Sequence, residues 1–255
     1  MQNNIFSGLF IGQFFFTLKE VDSTNNYIKK LLSNSTPLVN GTVIMAENQF
    51  AGRGQQQNKW FTEQGKNLTF SIYLKPEFLP LTDQFGLTMT VSLGVYEALY
   101  PLLGEGLKIK WPNDIYYHER KLGGILIENM VQGSEIKSTI VGIGLNINQE
   151  IFPDYLPNAV SIKQILRQDY DLKTILAHIC NKIEIQYLQL KTGHINIVRK
   201  QYLERLYWKN EPRVFKTTTG LLQATIKTVR ENGLLVVNNN GEDLEFSFKE
   251  IEFIS

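Results

Sequence analysis

Short apolar runs mark the strands that the sequence predicts. Residues 13–19 read QFFFTLK, residues 41–47 read GTVIMAE and residues 67–74 read NLTFSIYL, and all three are rich in β-branched or aromatic residues. Further apolar runs predict strands at 107–111, 124–130 and 136–146. These runs supply the strands of one predicted sheet.

A second pattern, in which apolar residues recur every three or four positions, predicts helices. It runs through Phe85, Met89, Leu93, Tyr96, Leu99 and Leu103, and again through Leu172, Ile175, Ile179, Ile183, Tyr187 and Leu190. The first of these helices is expected to bury one face. Ser23 or Thr24 is expected to cap a short helix through Leu32 by accepting a free backbone N–H. Blocks of strands and helices in this arrangement indicate the α+β class.

From about residue 211 the pattern changes to short strands separated by glycine turns. LLQATIKTV, LLVV and LEFSF are the apolar runs, and Asn232-Gly233 and Asn240-Gly241 separate them. Asn-Gly between apolar runs is a strong hairpin signal, because both residues accept a positive φ. The sequence therefore predicts a small all-β appendage, plausibly a partly closed barrel.

Composition narrows the class of protein. A length of 255 residues favours one large domain with a small appendage, and 43% apolar with 20% charged residues is typical of a globular chain. A net charge of +1 leaves no excess of cations for extended nucleic-acid binding. No run is long enough to span a bilayer, and the N-terminus lacks the pattern of a signal peptide. With Cys180 as its single cysteine, the chain fits a reducing, cytoplasmic compartment, and Cys180 itself is expected in the core.

A long aperiodic stretch at residues 48–66, between the second and third predicted strands, is the first candidate for function. Gly52 and Gly54 let the backbone approach a ligand, and Arg53 between them can hold a carboxylate or phosphate with paired hydrogen bonds. Trp60, near the end of the stretch, can stack on a flat base. The alternative is a mobile surface loop with a buried tryptophan anchor, and the loop alone does not decide between them.

Two further segments carry polar groups that suit a ligand. Ser23-Thr24-Asn25 offers hydroxyls and backbone N–H groups at a helix start, although plain helix capping explains the same residues. Lys110-Trp111-Pro112-Asn113-Asp114 is followed by Lys121 and by the pair Gly123-Gly124. Two ammonium groups and a carboxylate able to hold magnesium make sense where two anions must meet. The alternative here is a β-hairpin with solvated charges and the glycine pair as a bulge.

The fourth segment is the strand end Gly142-Ile143-Gly144-Leu145-Asn146-Ile147-Asn148. It superficially resembles a dinucleotide fingerprint, but the third glycine is missing and no helix is predicted to follow. We therefore interpret the segment as strand-end glycines that leave Asn146 facing a ligand.

In order and spacing, these four segments resemble the catalytic domain of biotin protein ligases. The motifs that carry the resemblance are Ser23-Thr24-Asn25, the Gly52-Arg53-Gly54 loop with Trp60, Lys110 to Asp114 followed by Lys121-Leu122-Gly123-Gly124, and Gly142 to Asn146. The resemblance covers about residues 14–205 and implies a class II synthetase-like mixed sheet with helices in residues 1–208. Residues 209–255 are similar to the small SH3-like β domain that closes members of this family.

The resemblance also implies a reaction. Members of the family activate biotin with ATP as biotinyl-5′-AMP and transfer it to a lysine of a biotin carboxyl carrier protein, with Mg2+ assisting. Carried over to this chain, Arg53 and Lys121 are the catalytic residues. The implied biotin contacts are Ser23, Thr24, Asn25, Gln49, Gly52, Arg53, Gly54, Gln55, Lys121, Gly123 and Gly124. The implied ATP contacts are Arg53, Trp60, Lys110, Asn113 and Asn146, with Asp114 as the magnesium ligand.

One departure from the family pattern lies in the loop. Many relatives place further basic residues and a glycine after Gly-Arg-Gly, whereas this chain has Gln55-Gln56-Gln57-Asn58. Neutral amides can donate hydrogen bonds to an anion, but they lack the Coulomb attraction that a basic side chain adds. Two rivals therefore stay open, a lipoate or octanoate ligase of the same fold and a non-catalytic biotin-binding sensor.

About a dozen residues precede the first strand, too few for a helix-turn-helix, so a repressor role is not expected. A homodimer stays possible.

Overall fold

The computed structural model describes residues 5–55 and 58–254. Its larger part is a seven-stranded sheet with the strand order β1-β2-β3-β7-β6-β5-β4. The strands are β1 Phe15–Val21, β2 Thr42–Gln49, β3 Leu68–Leu74, β4 Leu107–Lys110, β5 Asp114–Tyr117, β6 Arg120–Gln132 and β7 Glu135–Leu145. Only β1 and β2 pair in parallel among these neighbours, and every other pairing in the sheet is antiparallel. The sheet is therefore mixed, as the sequence predicts.

Five helices accompany the strands in the described part of the chain: α1 Thr24–Ser33, α2 Phe85–Leu103, α3 Ile162–Leu166, α4 Leu172–Lys191 and α5 Ile195–Glu204. The expectation that α2 buries one face is wrong, because residues on nearly all of its sides are buried. α4 and α5 cover the faces of α2 that do not contact the sheet. Gly94 lets α4 pack closely on α2, since a Cβ at Gly94 would lie only 2.6 Å from the Ile183 Cα.

The C-terminal part forms a second, five-stranded antiparallel sheet with the order β11-β10-β9-β8-β12. Its strands are β8 Pro212–Thr217, β9 Gly220–Val229, β10 Leu235–Asn239, β11 Glu242–Phe246 and β12 Ile251–Phe253. The predicted hairpin at Asn240-Gly241 is confirmed, with φ values of 51° and 95°. The α+β class with a small β-rich C-terminus is thus confirmed, while the exact boundary at residue 208 stays a prediction.

Aromatic residues join the second sheet to the rest of the chain. The Trp111 indole N–H donates to the Gly233 carbonyl over 3.0 Å, and the Trp208 ring, in the segment between α5 and β8, stacks on Phe253 with centroids 5.6 Å apart. Cys180 is buried on α4, as expected. No helix in residues 5–55 and 58–254 is long and apolar enough to cross a membrane.

Several elements were not predicted, among them β5 and α3. β5 has four residues and α3 has five, too few for a periodic pattern to stand out. α3 is instead specified locally by a capping box, in which Ser161 and Gln164 each bond the other's backbone N–H.

Candidate active site

A cavity opens between the start of α1, the end of β2, the strands β6 and β7, and the loop after β2. Ten of the predicted site residues line it: Ser23, Asn25, Gln49, Arg53, Gly54, Gln55, Trp60, Asp114, Lys121 and Gly124. Segments far apart in sequence therefore converge on one space.

The floor of the cavity begins at the N-terminus of α1. Ser23 occupies the N-cap position, but its side chain makes no capping hydrogen bond, so the predicted cap is wrong. The Gln49 Oε1 accepts from the backbone N–H of Thr24 over 2.9 Å, so a side chain from β2 satisfies that donor instead. Ser23 is left on the cavity lining.

Behind Ser23, a buried hydrogen-bond network completes the floor. The Ser71 Oγ on β3 lies 2.6 Å from both the Thr24 Oγ1 and the Asn25 Oδ1. The Thr24 hydroxyl in turn donates to the Gln49 Oε1 over 3.3 Å. The floor is therefore made of neutral hydroxyl and amide groups.

Two glycines of β7 make room for this floor and for the tryptophan. A Cβ on Gly142 lies 2.4 Å from the Asn25 Oδ1, and a Cβ on Gly144 lies 2.4 Å from the Trp60 ring. Both glycines lie inside an antiparallel strand rather than at a turn before a helix. The dinucleotide fingerprint is thus excluded, and the glycines act by close packing.

Arg53 approaches the cavity from the loop after β2. We call this loop the wall and define it as residues 50–55 and 58–60. The Arg53 Nη1 donates to the Asn26 Oδ1 over 2.7 Å and the Arg53 Nη2 donates to the Glu128 Oε1 over 3.0 Å. Glu128 also accepts from Lys29. Burial by itself raises the pKa of Glu128, but the hydrogen bonds from Lys29 and Asn25 and the attraction to both cations outweigh burial, so the pKa is lowered.

Lys121 approaches from the sheet, at the start of β6, on the same cavity as Arg53. Its ammonium forms an ion pair with the Asp114 carboxylate over 2.6 Å. Gly124 lies beside this pair, since a Cβ there is 3.3 Å from the Asp114 Oδ1 and 3.5 Å from the Lys121 Nζ. β5 and β6 form the hairpin that was the alternative for this segment, and two of its charged residues, Asp114 and Lys121, nevertheless line the cavity.

Six predicted site residues do not line the cavity: Thr24, Gly52, Lys110, Asn113, Gly123 and Asn146. Asn146 is buried, and its Nδ2 donates to the Val160 carbonyl while its Oδ1 has no partner among the described residues, so a ligand contact for Asn146 stays a prediction. Asn113 donates to the Ile125 carbonyl over 3.0 Å and accepts from Gln55 over 2.9 Å, so it supports the lining from behind.

Lys110 lies in a neighbouring cleft beside the second sheet. Its ammonium lies 3.1 Å from the Tyr116 hydroxyl, and 5.0 Å from the centroid of the Phe253 ring. Burial lowers the pKa of Lys110, an effect that the Asp114 carboxylate opposes and the Lys121 ammonium increases. A direct phosphate contact for Lys110 stays a prediction.

Sequence reasoning missed several lining residues, among them Asn58, Lys59, Thr69 and Phe248. Thr69 could have been found, because it shares a face of β3 with Ser71 and both interrupt an apolar strand. Phe248 follows β11, and only the docking of the second sheet brings it to the cavity. Gln56 and Gln57, which the loop hypothesis includes, lie outside the described residues.

The donors at the site do not form a metal centre of their own. Among residues 5–55 and 58–254, no group of three or more histidine, cysteine or carboxylate side chains could hold a metal ion. The Asp114 carboxylate is already engaged by Lys121. A single carboxylate suits Mg2+ only where phosphate oxygens and water complete the octahedron.

The chain is similar to a protein family and to several known proteins. Residues 18–146 match the family model described as the biotin/lipoate A/B protein ligase family. The chain is 32% identical over 185 residues to the bifunctional ligase/repressor BirA of Bacillus spizizenii, covering 71% of this chain and 56% of that protein. It is 28% identical over 228 residues to the biotin--[acetyl-CoA-carboxylase] ligase of Paracoccus denitrificans, covering 86% of this chain and 92% of that one.

Among solved structures, the biotin protein ligase from Aquifex aeolicus in complex with biotin and ATP is similar, with a TM-score of 0.80 and 26% identity. The match covers 94% of this chain and 98% of that one. The chain spans about half the length of the first curated relatives it matches, between 39% and 68%.

Proposed function

The chain belongs to the biotin/lipoate A/B protein ligase family, and on that premise we propose that it joins biotin to a lysine of a carrier protein at the expense of ATP. The observation that carries the proposal is that Arg53 and Lys121, one from the loop and one from the sheet, line one cavity with a neutral polar floor. Two anions, a carboxylate and a triphosphate, can meet there only if fixed positive charge offsets their repulsion.

In the first step, a biotin carboxylate oxygen forms a bond to the α-phosphorus of ATP while the bond from that phosphorus to the pyrophosphate oxygen breaks. The guanidinium of Arg53 and the ammonium of Lys121 stabilise the charge on the carboxylate and α-phosphate oxygens. Asp114 keeps Lys121 in place by its ion pair. Asp114 is the side chain that would hold magnesium, which would supply further positive charge at the phosphate oxygens when bound.

The other residues in and behind the cavity lining are assigned to the two substrates. Ser23, Gln49 and, behind them, Thr24 are proposed to bond the ureido ring of biotin, with Asn25, Gln55 and the glycines at 52, 54, 123 and 124 shaping its path. Trp60 is proposed to stack on adenine, with Asn113 and Asn146 supporting its side of the cavity and Lys110 near the phosphates.

In the second step, the ε-amine of the acceptor lysine attacks the acyl carbon, AMP leaves, and the amine gives up a proton as the amide forms. We propose a biotin carboxyl carrier protein as the acceptor, which the printed name of the Paracoccus denitrificans relative supports. A cytosolic location and a homodimer stay predictions.

The mixed anhydride is sensitive to water, so the wall is proposed to order over it until the acceptor docks. Arg53→Gly is expected to release biotinyl-5′-AMP from the enzyme. Gel filtration of the reaction mixture, followed by assay of the nucleotide in the protein fraction, measures its retention. Unchanged retention contradicts the lid role.

The nearest rival is lipoate or octanoate ligation by the same fold. The floor favours biotin, because Ser23, whose side chain makes no capping hydrogen bond, can bond the ureido ring, whereas an alkyl chain or a dithiolane ring offers it no such partner. Exchange of labelled pyrophosphate into ATP with biotin, lipoate or octanoate separates these acids, and transfer to a carrier domain then completes the test. Exchange with lipoate but not biotin overturns the proposal, and biotin binding without any exchange indicates a sensor.

A further inference from the structure

Glu128 lies where the floor and the wall meet, and the proposed reaction gives it no role so far. Its Oε1 accepts from Lys29 over 2.7 Å and from Arg53 over 3.0 Å, while its Oε2 accepts from the Asn25 Nδ2 over 2.9 Å. The Glu128 side chain is 19% exposed, against 40% for Arg53. Glu128, which lies on β6 of the sheet, is therefore the better buried partner.

Arg53 keeps donors available for a ligand while Glu128 holds it. A guanidinium carries five N–H donors in a fixed plane. Within residues 5–55 and 58–254, two of the Arg53 donors are used, one by the Asn26 Oδ1 and one by Glu128, which leaves three for a ligand. Two fixed acceptors define the orientation of that plane, so the remaining donors have a set direction at the cavity lining.

The same carboxylate also connects Arg53 to the floor. Asn25, which donates to Glu128, accepts on its Oδ1 within 2.6 Å of the Ser71 hydroxyl, and that hydroxyl also lies 2.6 Å from the Thr24 Oγ1. Charge matters as well as geometry at this junction. Without Glu128, the ammonium of Lys29 and the guanidinium of Arg53 lose the anion between them and repel each other.

From these contacts we infer that Glu128 is a positioning residue that holds Arg53, and with it the wall, against the floor of the cavity. It orders the wall before the ligand arrives and does not touch the reacting atoms. The inference rests on the proposed function for its effect on catalysis, but its effect on the wall is independent of any activity.

The direct test is limited proteolysis with trypsin, because Arg53 is itself a cleavage site and must leave its acceptors to enter the protease. Glu128→Gln keeps the side-chain length and an acceptor oxygen but removes the charge. In the absence of ligand, we expect cleavage after Arg53 to become about tenfold faster, since the rate follows the population of the released loop. An unchanged cleavage rate overturns the inference.

Two matched variants separate the anchor from general charge effects. Glu135→Gln removes a carboxylate that pairs with Lys137 at the other end of the β6–β7 hairpin, and Lys29→Gln removes the second cation from Glu128 itself. Both are expected to keep cleavage after Arg53 within about twofold of the original chain. Acceleration by Glu135→Gln equal to that by Glu128→Gln overturns the inference. If Glu128→Gln fails to fold, Glu128→Asp, which keeps the charge at shorter reach, should give a smaller acceleration, and none overturns it.

The kinetic arm distinguishes positioning from a chemical role. If a ligand binds only when the wall is ordered, its affinity falls as the fraction of molecules with an ordered wall falls. The complex, once formed, is unchanged. Glu128→Gln should therefore raise the KM for biotin and leave kcat for pyrophosphate exchange within about twofold. A lower kcat with unchanged KM overturns the inference. If no acid supports exchange, the proposed function fails, and the cleavage experiment alone decides the role of Glu128.

Discussion

The floor of the cavity and its wall contribute to the same space but are held by different means. Ser71 lies on β3 and Asn25 on α1, and both are buried in a neutral hydrogen-bond network. Arg53 and Gln55 lie outside regular structure or in a single turn, and their side chains reach Glu128 and Asn113 on the sheet side. The floor is thus part of the sheet and of α1. The wall pairs its backbone mainly with itself, as in the bridge between Arg53 and Lys59, and a few side-chain contacts join it to the sheet, so it is the part that a ligand can reorganise.

The largest effect is expected from the cation that the sheet carries. Lys121→Met should lower pyrophosphate exchange by about 10²- to 10³-fold, because a preorganised charge is lost at the developing anion. Since Lys121 does not hold the loop, trypsin cleavage after Arg53 should stay unchanged. Arg120→Met, which changes the exposed neighbour, is the control and should retain exchange. A faster cleavage in Lys121→Met contradicts the separation of floor and wall.

A pair of glycines tests the rigidity of the two parts. Gly142→Ala places a Cβ 2.4 Å from the Asn25 Oδ1 in the floor, and is expected to cost about 1–3 kcal/mol of unfolding free energy. Gly54→Ala in the wall meets its nearest neighbour, Asn58, at 3.4 Å, an ordinary contact, and should cost less than about 0.5 kcal/mol. Denaturant unfolding of both variants measures the difference. Equal costs contradict the comparison.

Gln55→Arg sharpens the comparison from the side of the wall. The new guanidinium adds Coulomb attraction for an anion that the neutral amide lacks, so biotin affinity or the order of the loop should change, by about three- to tenfold in affinity. Specificity for biotin over lipoate should not change, because the floor sets it. Calorimetric titration with each acid checks both statements, and binding of lipoate by the variant contradicts the second.

The smallest effect is the pH dependence of the contact between wall and sheet. Because the folded-state pKa of Glu128 is lowered below 4.5, its contribution to stability is fully present above that pH and is lost as the pH falls through the lowered pKa. The original chain should therefore exceed Glu128→Gln in unfolding free energy by less than about 1 kcal/mol at pH 7, and by less as the pH falls below 4. Denaturant unfolding at several pH values measures the difference, and a gap that widens in acid contradicts this sign.

Periodicity predicted most elements of the fold, because strands and long helices repeat their apolar positions. It failed where other elements decide burial, as on α2, whose outer faces α4 and α5 cover. At the site, the order of the motifs predicted the cations and glycines that line the cavity. It did not predict that Gln49 satisfies the N-terminus of α1, that Glu128 holds Arg53, or that the Asn146 amide donates to the Val160 carbonyl, because each contact joins segments that are separate in the sequence.

The contact between Trp111 and Gly233 bears on how the protein can be engineered. That hydrogen bond joins the turn before Asn113 and Asp114 to the second sheet, and Phe248 from the same sheet reaches the cavity lining. A chimera that grafts a foreign C-terminal region onto this chain therefore replaces part of the ligand compartment as well as a surface. Such a graft has to carry over the turn at Gly233 and the aromatic residue at 248 if substrate preference is to be inherited intact.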